Sequence, residues 1–113
     1  MTPSTVTPNR LRFLNDAFRT SGFISGRWFL TRGVVDMGPE FVALAIRAVL
    51  AFDGFTPDND PYGEHDFGSF NLAGQTMFWK IDYYDAAFEH GSDDPSDPRV
   101  TCRALTILLA SEY

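Results

Sequence analysis

Apolar residues recur at helical spacing near the start of the chain, where Leu11, Leu14 and Phe18 are preceded by Thr7-Pro8 and followed by Ser21-Gly22. A capping threonine, a first-turn proline and a terminal glycine frame a helix over about 8–20. The pattern then changes: RWFLT, Arg27 to Thr31, alternates between Gly26 and Gly33 and predicts a strand. Gly38-Pro39-Glu40 opens PEFVALAIRAVLAF, in which Val42, Ala45, Ile46, Val49 and Leu50 fit positions i, i+3, i+4, i+7 and i+8 of a second helix. Phe41, Leu44 and Phe52 widen its apolar stripe, so cover on more than one side is expected, and Asp53-Gly54 ends it.

Two strand-like runs, 65–72 and 75–84, meet at Ala73-Gly74. A two-residue turn opposes Leu72 to Gln75 and sets Phe70 by Met77, Gly68 by Trp79 and His65 by Asp82. A three-residue loop would instead face Asp66 with Asp82. The shorter turn is preferred, because it lays the Trp79 ring over a glycine and avoids facing carboxylates. The last apolar segment, VTCRALTILLA, is ambiguous: Asp97-Pro98 resembles a helix start, whereas Thr101, Thr106 and the alternation of Leu105, Ile107 and Leu109 favour a buried strand. Strand is chosen. The expected fold is α+β, two helices on a mainly antiparallel sheet of about four strands in the order α-β-α-β-β-β. One domain is assigned to 7–113 and a flexible tail to 1–6.

Composition supports that reading, since 113 residues with 44% hydrophobic content suffice for one core. Charge adds a new element. The net charge is -6, but residues 1–52 carry +3 and residues 53–113 carry -9. An acidic half repels phosphates and attracts cations or basic protein surfaces, which disfavours direct nucleic-acid binding. Cys102 is the one cysteine, so no intramolecular disulfide forms; its apolar surroundings describe a buried small side chain. No apolar stretch reaches membrane-spanning length and no leader pattern opens the chain, so a cytoplasmic location without membrane contact is expected.

Candidate chemistry gathers in FTPDNDPYGEHDFGSF, Phe55 to Phe70. Counted from Asp58, Asp60 and Gly63 fall where a calcium loop needs them, but Tyr62 and Ser69 stand where ligands belong. Pro57 and Pro61 favour a stiff turn whose Asp and Asn side chains bond back to the backbone. His65, Asp66 and Asp82, with Asp85 and His90 nearby in sequence, offer a metal reading, though without a fixed close pair such as HExxH. On FWKIDYYD, alternation directs Lys80, Asp82 and Tyr84 to one face. With His65 they offer an acid/base reading if they line a cleft, and a charge-paired surface otherwise. No cofactor motif is present: neither a GxGxxG nor a phosphate-cradling GxxxxGK[ST] occurs. The remaining reading is an interface. Eleven acids against one lysine lie between Asp53 and Pro98, interleaved with nine aromatics. Asp58, Asp60, Tyr62, Glu64, Asp66, Asp82, Tyr84 and Asp85 are its candidate contacts with a basic protein surface.

The segments LNDAFR, LTRGV, AFDGFTPDNDPYGEHDFGSF, FWKIDYYD and LTILLASEY resemble a bacterial family known only as a domain of unknown function. The resemblance implies a small standalone protein of a kind often carried on mobile elements, and it transfers no catalytic residues. Related sequences resemble Asp-Gly at the hairpin turn, where this chain has Ala73-Gly74. By analogy with anti-restriction and anti-CRISPR proteins, such a setting points to a non-enzymatic inhibitor or regulator of a nucleic-acid-handling complex. The alternative is a metal-dependent or acid/base enzyme built on His65 and Asp82. A homo-oligomer, pairing the basic half of one copy with the acidic half of another, is a third expectation.

Overall fold

A computed structural model describes residues 7–22 and 27–113, so the expected tail over 1–6 lies outside the described residues. The elements run α1 (Thr7–Thr20), β1 (Trp28–Leu30), α2 (Arg32–Asp36), α3 (Pro39–Leu50), β2 (Phe67–Leu72), β3 (Gln75–Tyr84) and β4 (Cys102–Leu109), closed by a 3-10 turn, Ala110–Glu112. The fold is α+β around one four-stranded sheet of order β1-β4-β3-β2. The β2-β3 and β3-β4 pairs are antiparallel, whereas β1 runs parallel to β4.

The hairpin takes the two-residue form. Ala73 and Gly74 hold positive φ of 50° and 81°, and Leu72 opposes Gln75, Phe70 opposes Met77 and Gly68 opposes Trp79. The ambiguous segment is a strand, and its Leu105, Ile107 and Leu109 share a face with Ile81, Trp79 and Met77. That face carries the core. Phe41, Ala45 and Val49 of α3 pack there with Val34 of α2, Trp28, Met77, Trp79, Ile81, Leu105 and Ile107. The expected wide stripe on α3 is narrower than the sequence implied, since Leu44 is 48% exposed.

Two short elements escaped the pattern. Thr31 caps α2, its Oγ1 accepting from Val34 N, and the Glu112 carboxylate accepts from Gly33 N at 3.0 Å and from Thr31 Oγ1 at 2.6 Å. A helix of one turn carries too few positions to show a period, and its glycine reads as a breaker. On α1 the expected apolar residues Leu11, Leu14 and Phe18 are half-buried, while Asn15 and Arg19 are the buried ones.

Strand direction has one consequence for the site. Residues 53–66 enter β2 at the end of the sheet where β3 finishes, and residues 85–101 leave β3 and return to β4 at that same end. Both acidic connections therefore converge.

Candidate functional site

At that end the loop before β2 is built by its own side chains. Asn59 Oδ1 accepts from Thr56 N, Asn59 Nδ2 donates to Gly54 O, and Asp60 Oδ1 accepts from Glu64 N and His65 N. Short polar side chains between prolines close such turns on the backbone, as the sequence indicated. The loop is then fastened to α1. Arg12 Nε donates to Gly63 O at 2.7 Å, Asn15 Nδ2 donates to Glu64 O at 2.9 Å, and His65 Nδ1 donates to Asp16 Oδ1 at 2.9 Å.

His65 does not meet Asp82. Its φ of +56° takes the residue out of extended conformation, so the alternation that sets the hairpin register stops at β2 and does not direct its ring. The imidazole stacks on Phe55 with centroids 3.6 Å apart, and its Nε2 stands 3.5 Å from Asp60 Oδ2. Both nitrogens face carboxylates, so the ring serves as a tie between loop and helix. Asp82 instead bonds Lys80 Nζ at 2.6 Å, on the opposite face of the sheet. The set His65, Lys80, Asp82 and Tyr84 is therefore divided between the two faces. Among the described residues, no three His, Cys, Asp or Glu side chains form a metal-ligating group, so His65, Asp66 and Asp82 do not assemble one.

Behind the loop lies a polar network that the sequence reading missed. Asn15, with no exposed surface, donates to Tyr83 Oη at 2.8 Å and accepts from Arg103 Nε at 2.7 Å. Arg103 also donates to Pro95 O, and its guanidinium lies 5.2 Å from the Tyr83 ring centroid. Tyr83 Oη donates to Asp66 Oδ2 at 3.3 Å. Burial sets the electrostatics here. It raises Asp66 above its ordinary 3.8, partly offset by the Tyr83 hydroxyl, and raises Glu64 above 4.5 with help from Asp66 and Asp60. It also lifts the Tyr83 phenol and lowers Arg103. The sequence signal for this network was the polar spacing Arg12, Asn15, Asp16 and Arg19, which lies along one side of a helix.

The candidate contacts thus separate by role. Asp60 and Asp66 are partly buried and bonded inside the molecule, Glu64 is partly buried, and Asp85 Oδ1 accepts from Glu89 N in the turn after β3. Asp82 and Tyr84 belong to the sheet face away from the helices. Asp58 and Tyr62 remain open to solvent, Tyr62 at 78%. Beside Tyr62 lies an open cleft of about 510 Å3, lined by Arg12, Phe55, Pro61 and His65 among others. The second acidic connection is similarly self-closed: Asp94 Oδ1 accepts from Ser96, and Asp97 bonds Arg99. Cys102 is half-buried, its Sγ 3.8 Å from Ala86 O, which is more exposed than its apolar neighbours implied.

Fold and site together define a small α+β protein with an acidic sheet end tied to α1 by side-chain hydrogen bonds. The family described as Protein of unknown function (DUF3768) matches residues 30–112, and the chain belongs to that family. No curated protein and no solved structure matches it. No helix among the described residues is long and apolar enough to cross a membrane.

Proposed function

We propose that this protein is a non-enzymatic interaction module whose acidic sheet end engages a basic protein surface. By the mobile-element analogy, the partner belongs to a nucleic-acid-handling complex that the protein inhibits or regulates. The convergence of residues 53–66 and 85–101 at one end of the sheet carries this reading, because it gathers ten acids in one region. Asp58, Glu89 and Asp93 are exposed there and have no partner among the described side chains, so their charge is available for steering. Tyr62 supplies a large amphipathic side chain for an anchor. The internal ties hold these groups in place before any encounter, which lowers the ordering cost of binding.

The test is capture from a native host with the whole chain as bait, eluted with rising salt. A partner with clustered Lys and Arg should bind at low salt and elute by about 0.5 M, where screening acts within a few ångströms. The triple variant Asp58→Lys/Glu89→Lys/Asp93→Lys, which spares every acid that closes a turn, should lose that partner while keeping its fold. Equal capture by the triple variant would refute the reading.

A further inference from the structure

We propose that the sheet face away from the helices is a homodimer interface, covered by a second copy of this chain about a two-fold axis that crosses β3 at Ile81. The inference goes beyond the acidic sheet end and uses a different surface.

Among the described residues, helices cover only the face that carries Trp79 and Ile107. The other face carries Phe29, Phe67, Phe78, Tyr84 and Thr106 around a buried Leu108, with the Lys80-Asp82 pair between two aromatic groups and Arg27 4.8 Å over the Phe88 ring at its edge. At one end Phe88 lies 4.7 Å from the Tyr84 ring and 6.4 Å from Phe29. At the other, Tyr113 lies 5.5 Å from Phe78 and 6.4 Å from Phe67. Phe29, Phe88 and Tyr113 are 45%, 37% and 78% exposed. Large aromatic side chains in a continuous face of this kind mark a surface that another body covers.

Charge on this face identifies a second copy as the occupant. Its centre is balanced, one lysine beside one aspartate 2.6 Å away, whereas an excess of acid would suit a basic partner. An isologous contact must be self-complementary. A two-fold axis over Ile81 exchanges positions equally spaced on either side of it. Lys80 then faces Asp82 of the other copy, and Tyr84 faces Phe78. The two ion pairs close into a ring of alternating charge, which leaves each buried charge between two opposite ones. The same rotation sets the Tyr84-Phe88 group against the Phe78-Tyr113 group, in the face-to-face stacking that two sheets adopt about 10 Å apart.

Sedimentation equilibrium on the whole chain tests the arrangement. The wild type should be dimeric at about 100 μM. Lys80→Asp and Asp82→Lys each place like charges across the axis and should weaken the dimer at least about tenfold. An equimolar mixture of the two variants should associate again as a heterodimer, and the double swap Lys80→Asp/Asp82→Lys should recover the homodimer; either rescue requires folded chains. A monomeric wild type would overturn the proposal, as would single variants that dimerise normally or variants that are not rescued by mixing. So would a monomer whose Phe88→Ala variant loses a captured partner, which would give the face to that partner.

Discussion

At position 68 a single hydrogen leaves room for the indole of Trp79. A Cβ there would meet Trp79 Nε1, Trp79 Cε2 at 2.6 Å and Phe52 Cζ at 2.8 Å, and Trp79 is fully buried. Gly68→Ala should therefore lower stability by about 1–3 kcal/mol, read as a reduced denaturant midpoint with an unchanged slope. A variant as stable as wild type would show that the indole can shift. Asp66 gives a second residue-level prediction. Burial raises it above 3.8, so the folded chain holds this proton more tightly than the unfolded chain. Its contribution is complete below 3.8 and is lost as pH rises through the folded value. Asp66→Asn removes that loss and can still accept from Tyr83. Its unfolding midpoint should exceed that of wild type at about pH 7, with the difference closing by about pH 3.5. An equal difference at both values would mean that the carboxylate charge is not the cause. The Gly68-Trp79 opposition was legible in the sequence because register follows from a short turn, whereas the burial of Asp66 was not.

Among elements, the 53–66 connection stands out as a loop held by three bonds to α1 rather than by apolar packing alone. Its internal turns were legible, since Asn59 and Asp60 lie where prolines and glycines demand closure. The sequence concealed the fastening. Asp16 and His65 are 49 positions apart, and a left-handed backbone at His65 breaks the period-two rule from which a His65-Asp82 pair was expected. Hydrophobic spacing likewise pointed to Leu11, Leu14 and Phe18 on α1, because spacing arguments give no weight to a buried face of Asn15 and Arg19. His65→Ala removes the ring that links Asp16, Asp60 and Phe55. Limited proteolysis should then cut within 53–66 at least about tenfold faster, while the β3-β4 ladder keeps its hydrogen-exchange protection. An unchanged cleavage rate would show that the Arg12 and Asn15 bonds hold the loop without His65.

For the molecule as a whole, the excess of acid in residues 53–113 was visible in the sequence, but its concentration at one end of the sheet was not. The two acidic stretches are separated by the whole β2-β3 hairpin, and only strand direction returns the chain to the same side. The parallel contact of β1 with β4 was hidden for a related reason: a three-residue strand pairs with one more than seventy positions later, beyond the reach of any local pattern. The single α+β layer arrangement was legible because it follows from element type and amphipathicity, which are local.

The position of β4 also governs how the chain comes off the ribosome. Although it lies between β1 and β3, it is translated after both. Until Cys102–Leu109 emerges, β1 has no neighbour to join, and Met77, Trp79 and Ile81 lack the row of Leu105, Ile107 and Leu109 beside them. Once Tyr84 has emerged, the nascent chain holds the β2-β3 hairpin with one edge of β3 open, and the sheet closes only when the missing middle strand arrives.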